Sequence, residues 1–207
     1  WAASAVARGP LERFAATATL RAIDPPPESM PAPRTGSRAA APDVRPPPSL
    51  DLTATIASFA HWPVATLPAR TTALDLSSFS EAWPATGLSG TVDVQATGLE
   101  APMQFVARLD NDRAGRWDQR RLPLRHADAQ LRADLRRRDA LDIGSFDIAL
   151  AGVAGQDAGH WRGGGRWSGD ALQLQTTLAG VREQLLDARA LAALASGTLD
   201  LTISGLP

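Results

Sequence analysis

Three histidines, His61, His126 and His160, are the only imidazoles in a chain that holds no cysteine. Metal capture and nucleophilic catalysis need His, Cys or carboxylates converging at short, regular spacings. None of the three has another His or Cys at such a spacing, and His61 and His160 each adjoin a tryptophan, which reads as boundary packing. HWRGGGRWSG, His160 to Gly169, comes nearest to a hydrolase signature. An oxyanion-hole loop places His directly before its glycines, and a nucleophile elbow reads Gly-x-Ser-x-Gly. Neither is present, and the segment also lacks Gly-x-Gly-x-x-Gly and Gly-Lys-Ser/Thr for phosphate. Gly163 to Gly165 are therefore expected as a turn or bulge. The chain reads as non-enzymatic, with no cofactor and no metal.

Arginine clusters at Arg120-Arg121 and Arg136 to Arg138 have the chemistry to meet phosphate. Arg132, Arg136 and Arg138 share the polar face of one expected strand, where a lipid head group would find them. Solvated edge charges that discourage sheet-to-sheet pairing account for them better. Nucleic acid is excluded as a partner by a net charge of −1 and by the absence of aromatics between the arginines.

The elements that would position these residues are strands. Hydrophobic residues make up 44% of the 207, but aromatics only 5%, and tyrosine is absent. Such an aliphatic composition suits a smooth apolar surface better than an interlocked aromatic core. No apolar run approaches the roughly 18 residues of a membrane-spanning helix. The chain starts at Trp1 without a signal sequence, and it is expected to be a piece of a longer protein whose anchor lies elsewhere.

Alternation begins in LERFAATATLRAI, Leu11 to Ile23, and stops at a segment, 24–49, that carries nine of the sixteen prolines. That segment is expected as a flexible insertion. From Leu50 onward the period-2 pattern returns repeatedly. Leu50, Leu52, Ala54 and Ile56 share one face, followed by Val92, Val94 and Ala96, then Met103, Phe105, Ala107 and Leu109. Ala127, Ala129, Leu131, Ala133 and Leu135 come next, then Leu141 and Ile143. The parity changes at Gly144-Ser145 before Phe146, Ile148 and Leu150, the mark of a β-bulge. Leu172, Leu174 and Leu178 precede a stretch of helical character, REQLLDARALAAL, of about two turns. The chain ends with Leu199, Leu201 and Ile203 in phase. Pro63 and Pro68 demote part of HWPVATLPARTTALDL to an edge or bend. Ten to twelve strands without crossover helices make an all-β, antiparallel chain. The expected organisation is strands in 1–23, the insertion at 24–49, and one continuous β-region at 50–207.

One strand occurs twice. GLSGTVDVQATGL at Gly87 to Leu99 and LASGTLDLTISGL at Leu194 to Leu206 share six positions at an offset of 107 residues. The same offset sets Leu67 over Leu174 and Leu74 over Val181. Repeated supersecondary units stack along an axis, each covering its neighbour.

Three segments resemble the AsmA-like repeat family and, within it, the TamB-like branch. They are PSLDLTATIASFAHWPVATLPARTTALDLSSF, LPLRHADAQLRADLRRRDALDIGSFDIALAG and HWRGGGRWSGDALQLQTTLAGVREQLLDARALAALASGTLDLTISGL. The Pro-rich insertion departs from the family pattern, and the family's membrane-anchored start and extreme C-terminus are not in the chain. The resemblance implies a long antiparallel sheet curled into a U-shaped trough with an apolar inner face. It also implies a conduit that carries phospholipid between inner and outer membranes across the periplasm of a Gram-negative bacterium, anchored in the inner membrane. An Omp85-type outer-membrane barrel is the implied partner, with an alternative role in assembling outer-membrane proteins.

The residues bear on that role directly. Freeing an acyl chain of about sixteen carbons into water costs on the order of 10 kcal/mol at roughly 0.8 kcal/mol per methylene. Transport therefore needs a continuous apolar path. The residues expected to line it, in contact with phospholipid acyl chains, are Leu52, Ile56, Val92, Val94, Phe105, Leu131, Leu135, Ile143, Phe146, Ile148, Leu172, Leu174, Leu199, Leu201 and Ile203. The same alternation serves an ordinary core packed on a second sheet. An adhesin stalk is a third reading of such repeats.

Overall fold

Short alternating runs separated by turns leave each strand nothing nearer to pair with than its neighbour in sequence, and the chain folds that way throughout. The computed structural model describes residues 1–23, 47–57, 64–96, 102–134, 140–169 and 171–204. Within them are eleven strands: β1 (Ala2–Arg8), β2 (Phe14–Arg21), β3 (Ser49–Ile56), β4 (Val64–Leu74), β5 (Leu88–Gln95), β6 (Met103–Asn111), β7 (Leu124–Ala133), β8 (Ala140–Ala151), β9 (Asp157–Ser168), β10 (Ala171–Arg182) and β11 (Leu194–Ser204). They form one sheet in strict chain order, every pairing antiparallel. The sheet is open, with β1 and β11 as its two edges. At about 4.8 Å between strands, it extends roughly 50 Å across.

Most of the insertion, 24–46, lies outside the described residues. Its expected end at 49 is too late by one residue: Ser49 already belongs to β3, and Pro48 O accepts the Ala22 N–H at 3.0 Å. The bulge at Gly144 is present, since β7 pairs Leu131 with Ile143 and Gln130 with Ser145. Pro68 sits in the middle of an interior strand rather than at an edge. The ladder of β4 to β5 runs unbroken through Pro68↔Asp93, whereas toward β3 no pair lies between Leu52↔Ala69 and Thr55↔Thr66. A missing N–H is tolerated because it interrupts one side only. The helical stretch shrinks to one turn, α1 (Glu183–Leu186), because Asp187 and the turn after it leave the helix.

A meander puts alternate turns at opposite ends of the sheet. One end carries the turns after β4, β6, β8 and β10, and these join to one another. Asp75 accepts hydrogen bonds from Ser77 N, Ser77 Oγ and Thr86 N and pairs with Arg113 at 3.0 Å. Ala85 N donates to Arg120 O at 2.8 Å, and Ala188 N to Asp118 Oδ1 at 3.2 Å. The buried Asn111 side chain accepts from Gly87 N at 2.9 Å and donates to Leu124 O at 3.0 Å. Trp1 stacks on Phe79 at 5.5 Å although β1 and β4 are three places apart, so the turn after β4 folds back over the ends of β3 and β2. Most of the buried side chains, among them Thr86, Leu88, Asn111, Ala151, Ala158 and Val181, lie at this end. The core is thus a capped rim.

The 107-residue repeat is structural. Both β4 and β10 shift register near their ends, between Thr71 and Leu74 and between Leu178 and Val181. Ala73 and Gly180, inside those shifts, take positive φ of 48° and 61°. Their N–H groups donate to Ser89 Oγ and Ser196 Oγ, each at 2.9 Å. Gly90 and Gly197 follow at φ 151° and 150°, a backbone only glycine adopts without strain.

Candidate functional site

Residues directly opposite one another across a ladder share a face. The register therefore assembles the expected lining residues into rows that cross the sheet. One row runs Leu67, Val94, Phe105, Leu131, Ile143, Gly165, Leu174 and Leu201, from β4 to β11. A second runs from Ala18 through Leu52, Ala69, Val92, Ala107, Ala129, Phe146, Gly163 and Thr176 to Leu199. A third passes Leu109, Ala127, Ile148, Trp161 and Leu178. A fourth joins Leu141, Trp167, Leu172 and Ile203. Ile56 is on the same side but pairs with Phe14 and Val64, outside these rows. Leu135 lies outside the described residues.

None of the expected lining residues within the described region is buried. Leu199, Leu201 and Ile203 on β11 are 52%, 36% and 37% exposed. Among the described residues, the only buried hydrophobic side chains larger than alanine are Leu88 and Val181. A second sheet laid across this face would have buried its leucines, isoleucines and valines. The strands instead make one layer.

The opposite face is a row of charge and hydroxyl: Thr19, Asp51, Arg70, Thr91, Arg108, Asp128, Asp147, Arg162, Thr177 and Thr198. Cross-strand ion pairs knit it together, Arg21–Asp51 and Arg162–Asp147 at 2.8 Å and Arg108–Asp128 at 3.5 Å. Such exposed pairs contribute little stability each, but they keep this face in water and so orient the other. His126 belongs here. Its Nδ1 lies 2.7 Å from Asp110 Oδ1 and its Nε2 2.9 Å from Asp128 Oδ2. The bond to Asp128, and then that to Asp110, raise its pKa, because a ring that donates from both nitrogens is an imidazolium. His160 approaches only Asp147, at 4.0 Å. His61 and Arg136 to Arg138 lie outside the described residues, and Arg132 is paired with Asp142 on the polar face.

The glycine run is not a turn but the middle of β9, and a bulge does fall at it: Ile143 pairs with Gly165 and Phe146 with Gly163, so Gly144 and Ser145 of β8 stand opposite Gly164 alone. A Cβ on Gly163 would stand 2.9 Å from Phe146 Cζ and from Thr176 Cγ2, and one on Gly165 2.9 Å from Leu174 Cδ2. The neighbouring side chains lie down over the bare backbone, and the Phe146 ring meets Trp161 edge-on at 5.1 Å. Trp161 and Trp167, absent from the expected lining, are its largest side chains. The signal was available: Trp161-x-Gly163-x-Gly165-x-Trp167 is itself a period-2 pattern.

Comparison with family models, curated proteins and solved structures finds no match to this chain.

Proposed function

We propose that this chain is a non-enzymatic segment of an AsmA-like lipid conduit, whose apolar face holds phospholipid acyl chains passing between two membranes of a Gram-negative envelope. The observation that carries the reading is the unbroken row from Leu67 to Leu201, aliphatic or aromatic at every strand except Gly165, with no facing layer among the described residues. The row crosses the strands at right angles, so a guest moving along it meets the same chemistry at each 4.8 Å step. An aliphatic lining offers few hydrogen bonds and hence shallow barriers to sliding. The full-length protein would then sit in the periplasm and meet an Omp85-type barrel at the outer membrane.

Solvent extraction of the chain purified from a bacterial envelope tests this reading. Phospholipid should co-purify with it, and a Val94→Asp/Leu131→Asp variant that retains its strand content should lose most of it. A folded wild-type chain without lipid contradicts the reading. A second role, assisting assembly of outer-membrane strands, is favoured by the edges that β1 and β11 form among the described residues.

A further inference from the structure

The polar face is not uniform in how its side chains are occupied. Near its middle, Arg108–Asp128 and Arg162–Asp147 close ion pairs between neighbouring strands. Two rows further from the capped rim the pattern breaks. Arg132, Asp142 and Arg166 stand opposite one another on β7, β8 and β9, and Gln173 and Thr202 extend the row over β10 and β11. Among the described residues, none of these five side chains has a hydrogen-bond or ion-pair partner. Between the two rows lie Gly164, Gln175 and Asp200, with the Gly144–Ser145 bulge opposite Gly164. Gly164 puts no side chain on this face, and a Cβ there would stand 3.0 Å from Gly144 O and from Ile143 O. The result is a groove of about 590 Å³ with a backbone floor, walled by Asp142, Arg166, Gln173, Gln175, Asp200 and Thr202. A second hollow of about 520 Å³ shares Asp142 and Arg166 with it and reaches Arg132.

We propose that this groove binds a neutral oligosaccharide, with a sugar ring against the Gly144–Gly164 floor and its hydroxyls on the surrounding side chains. Glycine inside a strand marks a place where a ligand or another backbone comes close. The groove has the size of a small-molecule site, but hydrogen-bonding groups replace the apolar lining usual there. Asp142 and Asp200 accept hydrogen bonds, Arg166 donates them, and the amides of Gln173 and Gln175 do both, as does the Thr202 hydroxyl. A sugar hydroxyl is itself donor and acceptor, so it can satisfy each of these groups in turn. Across the two hollows, two arginines, Arg132 and Arg166, face three carboxylates, Asp134, Asp142 and Asp200. That mixture gives a phosphate or other polyanion no net attraction. Among the described residues, no three of these groups converge as metal ligands do. The inference rests on the polar face alone, independently of what the apolar face carries.

Amide NMR of the isotope-labelled chain tests this, with maltotetraose and tetra-N-acetylchitotetraose as probes and sodium phosphate as the control. At about 10 mM, at least one of the two sugars should shift the signals of Gly144, Gly164, Gln173 and Gln175 and leave those of Arg108 and Asp128 in place. Gln175→Ala, a substitution at an exposed position, should weaken that binding about fivefold through the loss of one neutral hydrogen bond. Arg108→Ala, away from the groove on the same face, should leave it unchanged. No shift with either sugar overturns the proposal, and so does binding that Gln175→Ala does not weaken. A response to phosphate alone, which would make the groove an anion site, or sugar shifts spread over both faces of the sheet would overturn it as well.

Discussion

The hydroxyl of Ser89 accepts a hydrogen bond from the backbone N–H of Ala73 at 2.9 Å, across a bulge in which Ala73 takes the left-handed conformation at φ 48°. Ser196 and Gly180 make the same bond at 2.9 Å, 107 residues further on. In each unit a strand shifts register, a serine on the next strand satisfies the displaced N–H, and the following glycine accommodates the bend. The clasp holds the strand end against the capped rim and hence sets the register from which the apolar rows follow.

Ala73 carries a Cβ in a backbone region that disfavours one, whereas its counterpart Gly180 does not. Replacing Ala73 by Gly should therefore stabilise the chain by about 0.5–1 kcal/mol, and Gly180→Ala should destabilise it by about 1 kcal/mol. Urea unfolding monitored by circular dichroism measures both. Equal and same-signed effects would mean that the two sites are not equivalent.

Loss of the clasp hydroxyl should be felt unequally. Ser89→Ala leaves a part-buried N–H without its partner and should cost about 1 kcal/mol. Ser196→Ala frees an exposed N–H that water can reach, so a few tenths of a kcal/mol are expected. The same unfolding experiment reads both, and a larger loss at Ser196 would contradict this ranking.

Gly165→Ala would place a Cβ 2.1 Å from Gln173 O and 2.9 Å from Leu174 Cδ2. Since the oxygen is backbone, β10 must shift, and a loss of about 1–3 kcal/mol is expected. A neutral substitution would mean that β9 does not run where it is placed. Thermal unfolding of the single variant decides between them.

The strand content was legible in the sequence wherever aliphatic residues alternated without interruption, as from Ala127 to Ala133, and even the bulge at Gly144 could be seen in the parity change. What failed shares one physical cause. Glycine and proline punctuate isolated segments, but inside a wide sheet their neighbours supply what they lack. Phe146 and Leu174 fill the space over Gly163 and Gly165, and the β5 ladder holds Pro68 in place. The capped rim was hidden because its bonds, such as Asp75 to Thr86 and Asn111 to Gly87, join residues in turns that carry no periodic signal. The residues that share the apolar face were mostly legible, the tryptophans of β9 being lost with their strand.

His126 should titrate above its ordinary value of 6.5, with Asp128 and Asp110 as the cause. A group whose pKa is raised by folding contributes stability that is full below the unfolded pKa and fades as pH rises through the folded one. The difference in melting temperature between wild type and His126→Gln should thus be largest near pH 6 and shrink toward pH 8. Its size will be modest, since the ring is 39% exposed and water screens the pair. Proton NMR of the His126 ring gives the midpoint, which Asp128→Asn should lower; an unchanged midpoint would remove Asp128 as the cause.

Photocrosslinking from the two faces tests the central claim most directly. A photoreactive residue placed in turn at Val94, Leu131 and Leu174, and at Arg108, Asp128 and Arg162 as the opposite face, should be irradiated in envelopes whose phospholipids are isotope-labelled. Adducts carrying the label are expected from the first three positions and from none of the second. Labelled adducts from both faces alike, or from neither, would contradict a lipid path along the apolar rows.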